Sequence, residues 1–146
     1  MGPGWLGEGF RVTDDMGRST SDATTRGVRV EVLGDYLPQS SDPAQGLWSF
    51  VYHVTITNLG TEVVQLRSRH WVITNSYGVE GHVRGVGVVG NQPVLEPGQS
   101  FSYSSGCPLD TPVGTMHGSY QMVLENGREF EAEVAPITFA KPYELN

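Results

Sequence analysis

A glycine-rich run at residues 85–90 carries the pattern most suggestive of chemistry in this chain. It reads G-x-G-x-x-G, the spacing with which dinucleotide-binding folds cradle a pyrophosphate. That pattern works where a helix follows, because the helix N-terminus supplies free N–H groups and the positive end of a dipole. Pro93 and Pro97 follow here instead, and proline inside a helix costs about 3 kcal/mol. The sequence therefore predicts a glycine-rich connection between strands rather than a dinucleotide site.

Two weaker roles stay open for this run and its neighbours. Bare N–H groups in a glycine-rich loop can bind an anion such as a pyrophosphate or nucleotide without a helix, and nearby guanidinium groups would hold its oxygens by forked hydrogen bonds. Alternatively, the same residues form a contact surface for a protein partner, to which His70 and its aromatic neighbour Trp71 contribute. The candidate binding residues are Arg67, Arg69, His70, Arg84, Gly85, Gly87 and Gly90.

Catalytic and metal-binding patterns are missing from the sequence. A catalytic histidine needs a nucleophile and an orienting carboxylate, and the chain has no G-x-S-x-G elbow. The four histidines show no H-x-H or H-x-x-x-H spacing, and neither C-x-x-C nor H-E-x-x-H occurs. Nothing basic adjoins Cys107, so we interpret it as a buried packing residue. We therefore expect a non-enzymatic protein with no metal site and no cofactor.

Composition narrows the possible partners. The 146 residues carry a formal net charge of -7 with a single lysine, Lys141, which argues against a nucleic-acid surface and excludes a Walker loop. One cysteine excludes an internal disulfide and favours a reducing compartment, so we expect a cytoplasmic protein. No apolar run approaches the ~20 residues of a membrane span, and we expect no membrane partner.

The elements that must position the candidate residues are strands. Apolar residues alternate with polar ones over 28–32 and 48–57, and the second run, rich in aromatic and β-branched residues, predicts a central strand. Asn126–Gly127 is the strongest hairpin signal. We expect residues 107–112 to form a loop. Short alternating segments without a helical stripe predict an all-β, immunoglobulin-like antiparallel sandwich. One domain spans 26–140, between a flexible N-terminal tail at 1–25 and a C-terminal tail at 141–146.

Several motifs in order closely resemble the ApaG family over about residues 26–140. They are Tyr36–Pro38, Ser41–Pro43, Ser68–Trp71, Val83–Pro93, Leu95–Gly98, Tyr103–Leu109 and Gly114–Met122. The resemblance implies a fibronectin type III-like sandwich with no agreed catalytic activity. Family members include small bacterial proteins often encoded near a diadenosine-tetraphosphate hydrolase and loosely tied to cobalt and magnesium handling. Related domains are appended to eukaryotic F-box proteins and to a DNA polymerase delta-interacting protein, which favours a protein-binding module.

Overall fold

The computed structural model describes residues 18–142, which form nine β-strands and two 3-10 turns, at Pro38–Ser40 and Pro43–Gln45. No helix in this part of the chain is long and apolar enough to cross a bilayer. The predicted all-β class is confirmed. The strands are β1 (Ser19–Thr25), β2 (Val28–Tyr36), β3 (Trp48–Asn58), β4 (Val64–Asn75), β5 (Glu80–Val86), β6 (Val94–Leu95), β7 (Ser100–Leu109), β8 (Val113–Leu124) and β9 (Glu129–Ala140).

Two antiparallel sheets pack face to face around one core. The first has the order β1-β2-β3-β7, and the second has the order β5-β4-β8-β9. The short β6 pairs with β4 beyond the end of β5. Each strand turns alternate side chains inward, so that Phe50 and Val54 of β3 share the core with Tyr120 and Met122 of β8. This single-domain β-sandwich is the predicted architecture.

Several local predictions are confirmed. β3 lies between β2 and β7, as its aromatic and β-branched residues predicted. The Asn126–Gly127 turn joins β8 to β9, and Gly127 has the positive φ of 88° that its residue type favours. The predicted loop at 107–112 is wrong at its start. β7 continues to Leu109, because Cys107 and Leu109 extend the inward alternation against β3.

The predicted N-terminal tail at 1–25 is wrong for its last seven residues. Residues 19–25 form β1, which pairs with β2 over seven register positions. Ser19 and Ala23 are buried, and the Ser19 hydroxyl donates a hydrogen bond to the carbonyl oxygen of Thr138 in β9. The sequence did not indicate this strand, because Ala23 is the one apolar residue on its buried face. Residues 1–17 and 143–146, the rest of the predicted tails, lie outside the described residues.

The two sides of the sandwich differ. On one side β1 and β9 close the gap between the sheets, where the Glu133 N–H also donates to the Thr25 hydroxyl. On the other side β5 and β7 are edge strands, and an open groove of about 480 Å³ lies between them. Val83 of β5 points toward this groove yet stays 42% exposed. The inner face of β5 is therefore only partly covered, and the strand leads into the glycine-rich run.

Candidate functional site

The glycine-rich run is a strand followed by a tight hairpin. Val88 and Asn91 exchange two backbone hydrogen bonds of 2.8 Å, so Val89 and Gly90 form a two-residue turn. Their φ angles of 41° and 80° match a type I′ turn, which needs positive φ at both central positions. Val88 is fully buried and anchors the hairpin in the core. This glycine hairpin, residues 87–91, connects β5 to β6.

Arg69 holds the glycine hairpin from within. It lies on the inward side of β4, where its Nη1 donates to the carbonyl oxygen of Gly87 at 2.7 Å and more weakly to that of Val86 at 3.4 Å. The guanidinium lies against Gly85, where an added Cβ would come within 2.7 Å of Nη1. A side chain at position 85 would therefore have to displace the guanidinium of Arg69. Arg69, which was predicted to bind a ligand, therefore stabilises the glycine hairpin of its own chain.

The backbone N–H groups of Gly87 and Val88 are used inside the fold. Gly87 N–H donates to the carbonyl oxygen of Arg67 at 2.8 Å, and Val88 N–H donates to Asn91. An added Cβ at Gly87 would lie 2.2 Å from the Asn91 oxygen, so this glycine serves a close backbone approach. Two N–H groups that an anion nest could use, those of Gly87 and Val88, are therefore already bonded inside the fold. The pyrophosphate alternative gains no support from the loop.

His70 and Arg84 lie on the outer face of the second sheet. They are register partners on β4 and β5, and because neighbouring strand residues point to opposite faces, His70 points away from Arg69. His70 Nε2 lies 2.9 Å from His82 Nδ1, the two rings stack at 5.2 Å, and His82 Nε2 lies 3.4 Å from Glu80 Oε1. Desolvation, with the charge of Arg84 and the ring of His82, holds the pKa of His70 below its ordinary value.

Exposed valines line the strand end beside this face. Val86 is 74% exposed at the end of β5, Val89 is 57% exposed at the hairpin tip, and Val94 is 55% exposed on β6. Val86 and Val94 pair with β4 residues whose side chains point outward, so both valines point to the outer face. Arg67 lies between them at an irregularity of β4, exposed. We call these four residues the hairpin surface.

The structure thus separates the seven predicted binding residues into groups. Arg69, Gly85, Gly87 and Gly90 build the hairpin, Arg67 belongs to the hairpin surface, and His70 and Arg84 adjoin it on the outer face. Sequence reasoning missed His82 as the partner of His70. The turn at 76–78 offered the signal, because a hairpin centred there aligns residue 70 with residues 82–84. The exposed valines could not be told from core valines by residue type.

The reactive side chains of Cys107, Tyr103 and Tyr120 are buried and contribute to packing. No cluster of three or more His, Cys, Asp or Glu side chains that could hold a metal occurs within residues 18–142. Burial raises the pKa of the Cys107 thiol to about 12, which keeps it protonated at neutral pH. Burial also raises the pKa values of Tyr103 and Tyr120, whose hydroxyls share a hydrogen bond in the core.

Comparison with known proteins places the chain in a family. A family model described as the ApaG domain matches residues 38–124. Protein ApaG from Aromatoleum aromaticum is 51% identical over 119 residues, covering 82% of this chain and 94% of that protein. Protein ApaG from Methylobacterium radiotolerans is 50% identical over 121 residues, covering 83% and 93%. The crystal structure of an ApaA protein from Bordetella pertussis superposes with a TM-score of 0.79 at 47% identity, covering 84% of this chain and 99% of that one. The chain belongs to the ApaG family.

Proposed function

We propose that this protein is a non-enzymatic binding module whose hairpin surface recognises a protein partner. The observation that carries the proposal is the group of three exposed valines on the glycine hairpin and on the two strands that flank it. Single exposed apolar residues are common, but several exposed apolar side chains grouped around a basic residue are typical of interaction sites. The proposal includes no nucleic-acid, membrane or cofactor partner, and any link to divalent cations is indirect.

The backbone at Val89 supports the same assignment. A β-branched residue rarely adopts positive φ, and such a conformation costs about 1–3 kcal/mol. Val89 nevertheless occupies it at the exposed tip of the hairpin, where glycine or asparagine would relieve the strain. Local strain of this kind is concentrated at functional sites. We infer that the strained backbone at Val89 is retained because it holds an apolar side chain toward the partner.

The charge of the surface indicates the chemistry of the partner. The ion pairs found within residues 18–142 are Arg29 with Asp22 and Glu31, and His82 with Glu80, so Arg67 and Arg84 have no carboxylate partner there. The Arg67 Nε donates only to the Gln65 amide oxygen at 3.3 Å. Unpaired guanidinium groups beside apolar side chains fit a partner segment that carries apolar residues next to an Asp or Glu.

Affinity purification from the source cell with matched variants tests this function. Arg67→Glu combined with Val94→Ser should lose the partners that the unmodified chain recovers reproducibly, because charge repulsion and the missing apolar contact act on one surface. Leu33→Ser, on the outer face of the opposite sheet, is the control and should recover them fully. Equal recovery by the folded double variant would overturn the assignment.

A further inference from the structure

The outer edge of β5 carries a row of backbone groups that face away from the sheet. In an antiparallel pair, alternate residues exchange hydrogen bonds with the neighbouring strand, and the residues between them point their N–H and C=O groups the other way. Asn75 N–H donates to Val79 oxygen and Gly87 N–H donates to Arg67 oxygen, so the odd-numbered residues of β5 bond to β4. The even-numbered residues face outward, and no second strand pairs with them among residues 18–142.

The opposite edge on this side of the sandwich is less able to accept a strand. The same alternation on β7 starts from Asn58 N–H donating to Gln99 oxygen, which places Pro108 among its outward-facing residues. Proline has no N–H to offer a ladder. β5 contains no proline, and the Val83 side chain on its inner face is 42% exposed. An added strand would therefore find an unbroken row of outward N–H groups on β5 but not on β7.

We propose that β5 pairs antiparallel with β5 of a second copy of this chain, about a twofold axis at His82. In this register Glu80 lies opposite Arg84 of the second copy, and the symmetry repeats the pair. Opposite charges directly across a strand pair stabilise it, and like charges destabilise it. Shifting the register by two residues places His82 opposite Arg84 and Glu80 opposite Val86, which loses both charge pairs.

The inner face of β5 favours the same register. Residues between the hydrogen-bonded pairs approach most closely, and here Gly81 lies opposite Val83 of the second copy while Val79 lies opposite Gly85. A small residue opposite a large one lets the valines fill the space that the glycines leave. Nothing but the Ile73 oxygen lies within 4 Å of a Cβ added at Gly81. Pairing would cover Val79 and Val83, both exposed in the single chain.

The pairing continues the second sheet across both copies and keeps both outer faces on one side. The two Val86 residues would lie about 26 Å apart along the strands, at about 3.3 Å per residue. Both hairpin surfaces would stay accessible. Apart from Arg84, which the proposed partner contact also includes, the inference concerns residues 79–85 and a second copy rather than the hairpin surface, and its variants leave Arg67 and Val94 unchanged.

Sedimentation equilibrium of the full chain from about 5 to 500 μM tests the pairing. We expect a monomer–dimer equilibrium. Glu80→Arg and Arg84→Glu should each raise the dimer Kd by about tenfold or more, because each change places like charges opposite each other twice. The double variant restores both pairs in reversed orientation and should return Kd to within about threefold of the unmodified value. A monomer across the whole range, or a double variant as weak as the singles, would overturn the proposal.

Amide hydrogen exchange on the unmodified chain gives a second readout that needs no substitution. At low concentration the amides of Glu80, His82 and Arg84 should exchange quickly, while those of Gly81 and Val83 are protected by β4. At high concentration the even-numbered amides should become protected as well. A dimer that forms without that added protection uses another surface and would refute the β5 pairing. A monomer that protects these amides only with a foreign peptide would refute it equally.

Discussion

Gly85, Gly87 and Gly90 look alike in the sequence but have different physical reasons for being glycine. Gly85 makes room for the Arg69 guanidinium, Gly87 lets the backbone approach Asn91, and Gly90 has a positive φ with nothing within 4 Å of an added Cβ. Only the first two involve neighbours that any side chain would displace. The packing of the hairpin, which includes Arg69, therefore explains the G-x-G-x-x-G spacing.

This difference predicts an ordered set of stability losses. Gly87→Ala should lower the free energy of unfolding by several kcal/mol, because its Cβ would lie 2.2 Å from a backbone oxygen at φ 65°. Gly90→Ala should cost about 1 kcal/mol, from the left-handed backbone alone. Urea unfolding of both variants measures the two losses. Equal losses would show that the hairpin relaxes at Gly87, contrary to the close approach described.

Sequence reasoning at this scale identified the residues better than their roles. Pro93 and Pro97 correctly argued against a helix after the glycines. Whether Arg69 points inward and His70 outward depends on the irregularity of β4 between Leu66 and Ser68, which shifts the alternation. No residue type between Leu66 and Ser68 indicates that the inward–outward alternation of side chains shifts there. The contact between Arg69 and the hairpin could therefore not be predicted from the sequence, because it depends on the fold.

Among the strands, β1 is one that its sequence pattern did not predict, because most of its residues are polar. Its sequence, STSDATT, has no apolar alternation, yet Ser19, Ser21 and Ala23 are buried against the opposite edge at β9. Small residues suit that position because β1 and β9 approach closely where the sandwich closes. By contrast, β3 and the β8–β9 hairpin carry large alternating side chains and a strong turn signal, and both were predicted correctly.

Truncation tests the contribution of β1. A chain beginning at residue 26 should unfold at lower urea concentration than one beginning at residue 18, because it loses the ladder with β2 and exposes Val28 and Val30 at a new edge. The difference should reach several kcal/mol, given the buried residues lost. Matching unfolding midpoints for the two chains would mean that residues 19–25 contribute nothing, as the tail interpretation expected.

At the scale of the whole molecule, the buried titratable groups make the fold sensitive to alkali. Cys107 has an ordinary pKa of 9.0 that burial raises to about 12, so above pH 9 the unfolded chain loses this proton more readily than the folded one. The unfolded state is then stabilised, and the free energy of unfolding falls by up to about 1.4 kcal/mol per pH unit from 9 toward 12. Below pH 9 this contribution is fully present.

Urea unfolding between pH 8 and 10 measures that dependence. Cys107→Ala removes the ionisable group, so its stability should fall less steeply with pH over the window, whatever its stability at pH 8. Tyr103 and Tyr120 add their own loss only above their ordinary pKa of 10. Parallel pH curves for the two proteins in this window would contradict the raised pKa of the thiol.

Site-specific photocrosslinking in the source cell tests whether the hairpin surface contacts a protein partner. A photoreactive residue replaces Val94 on the hairpin surface, and a second chain carries it at Leu33, which is exposed on the opposite sheet. We expect a discrete heavier product from position 94 that contains another protein. This product should be absent from position 33 and lost with Arg67→Glu. The same products from both positions, or none from position 94, would contradict that contact.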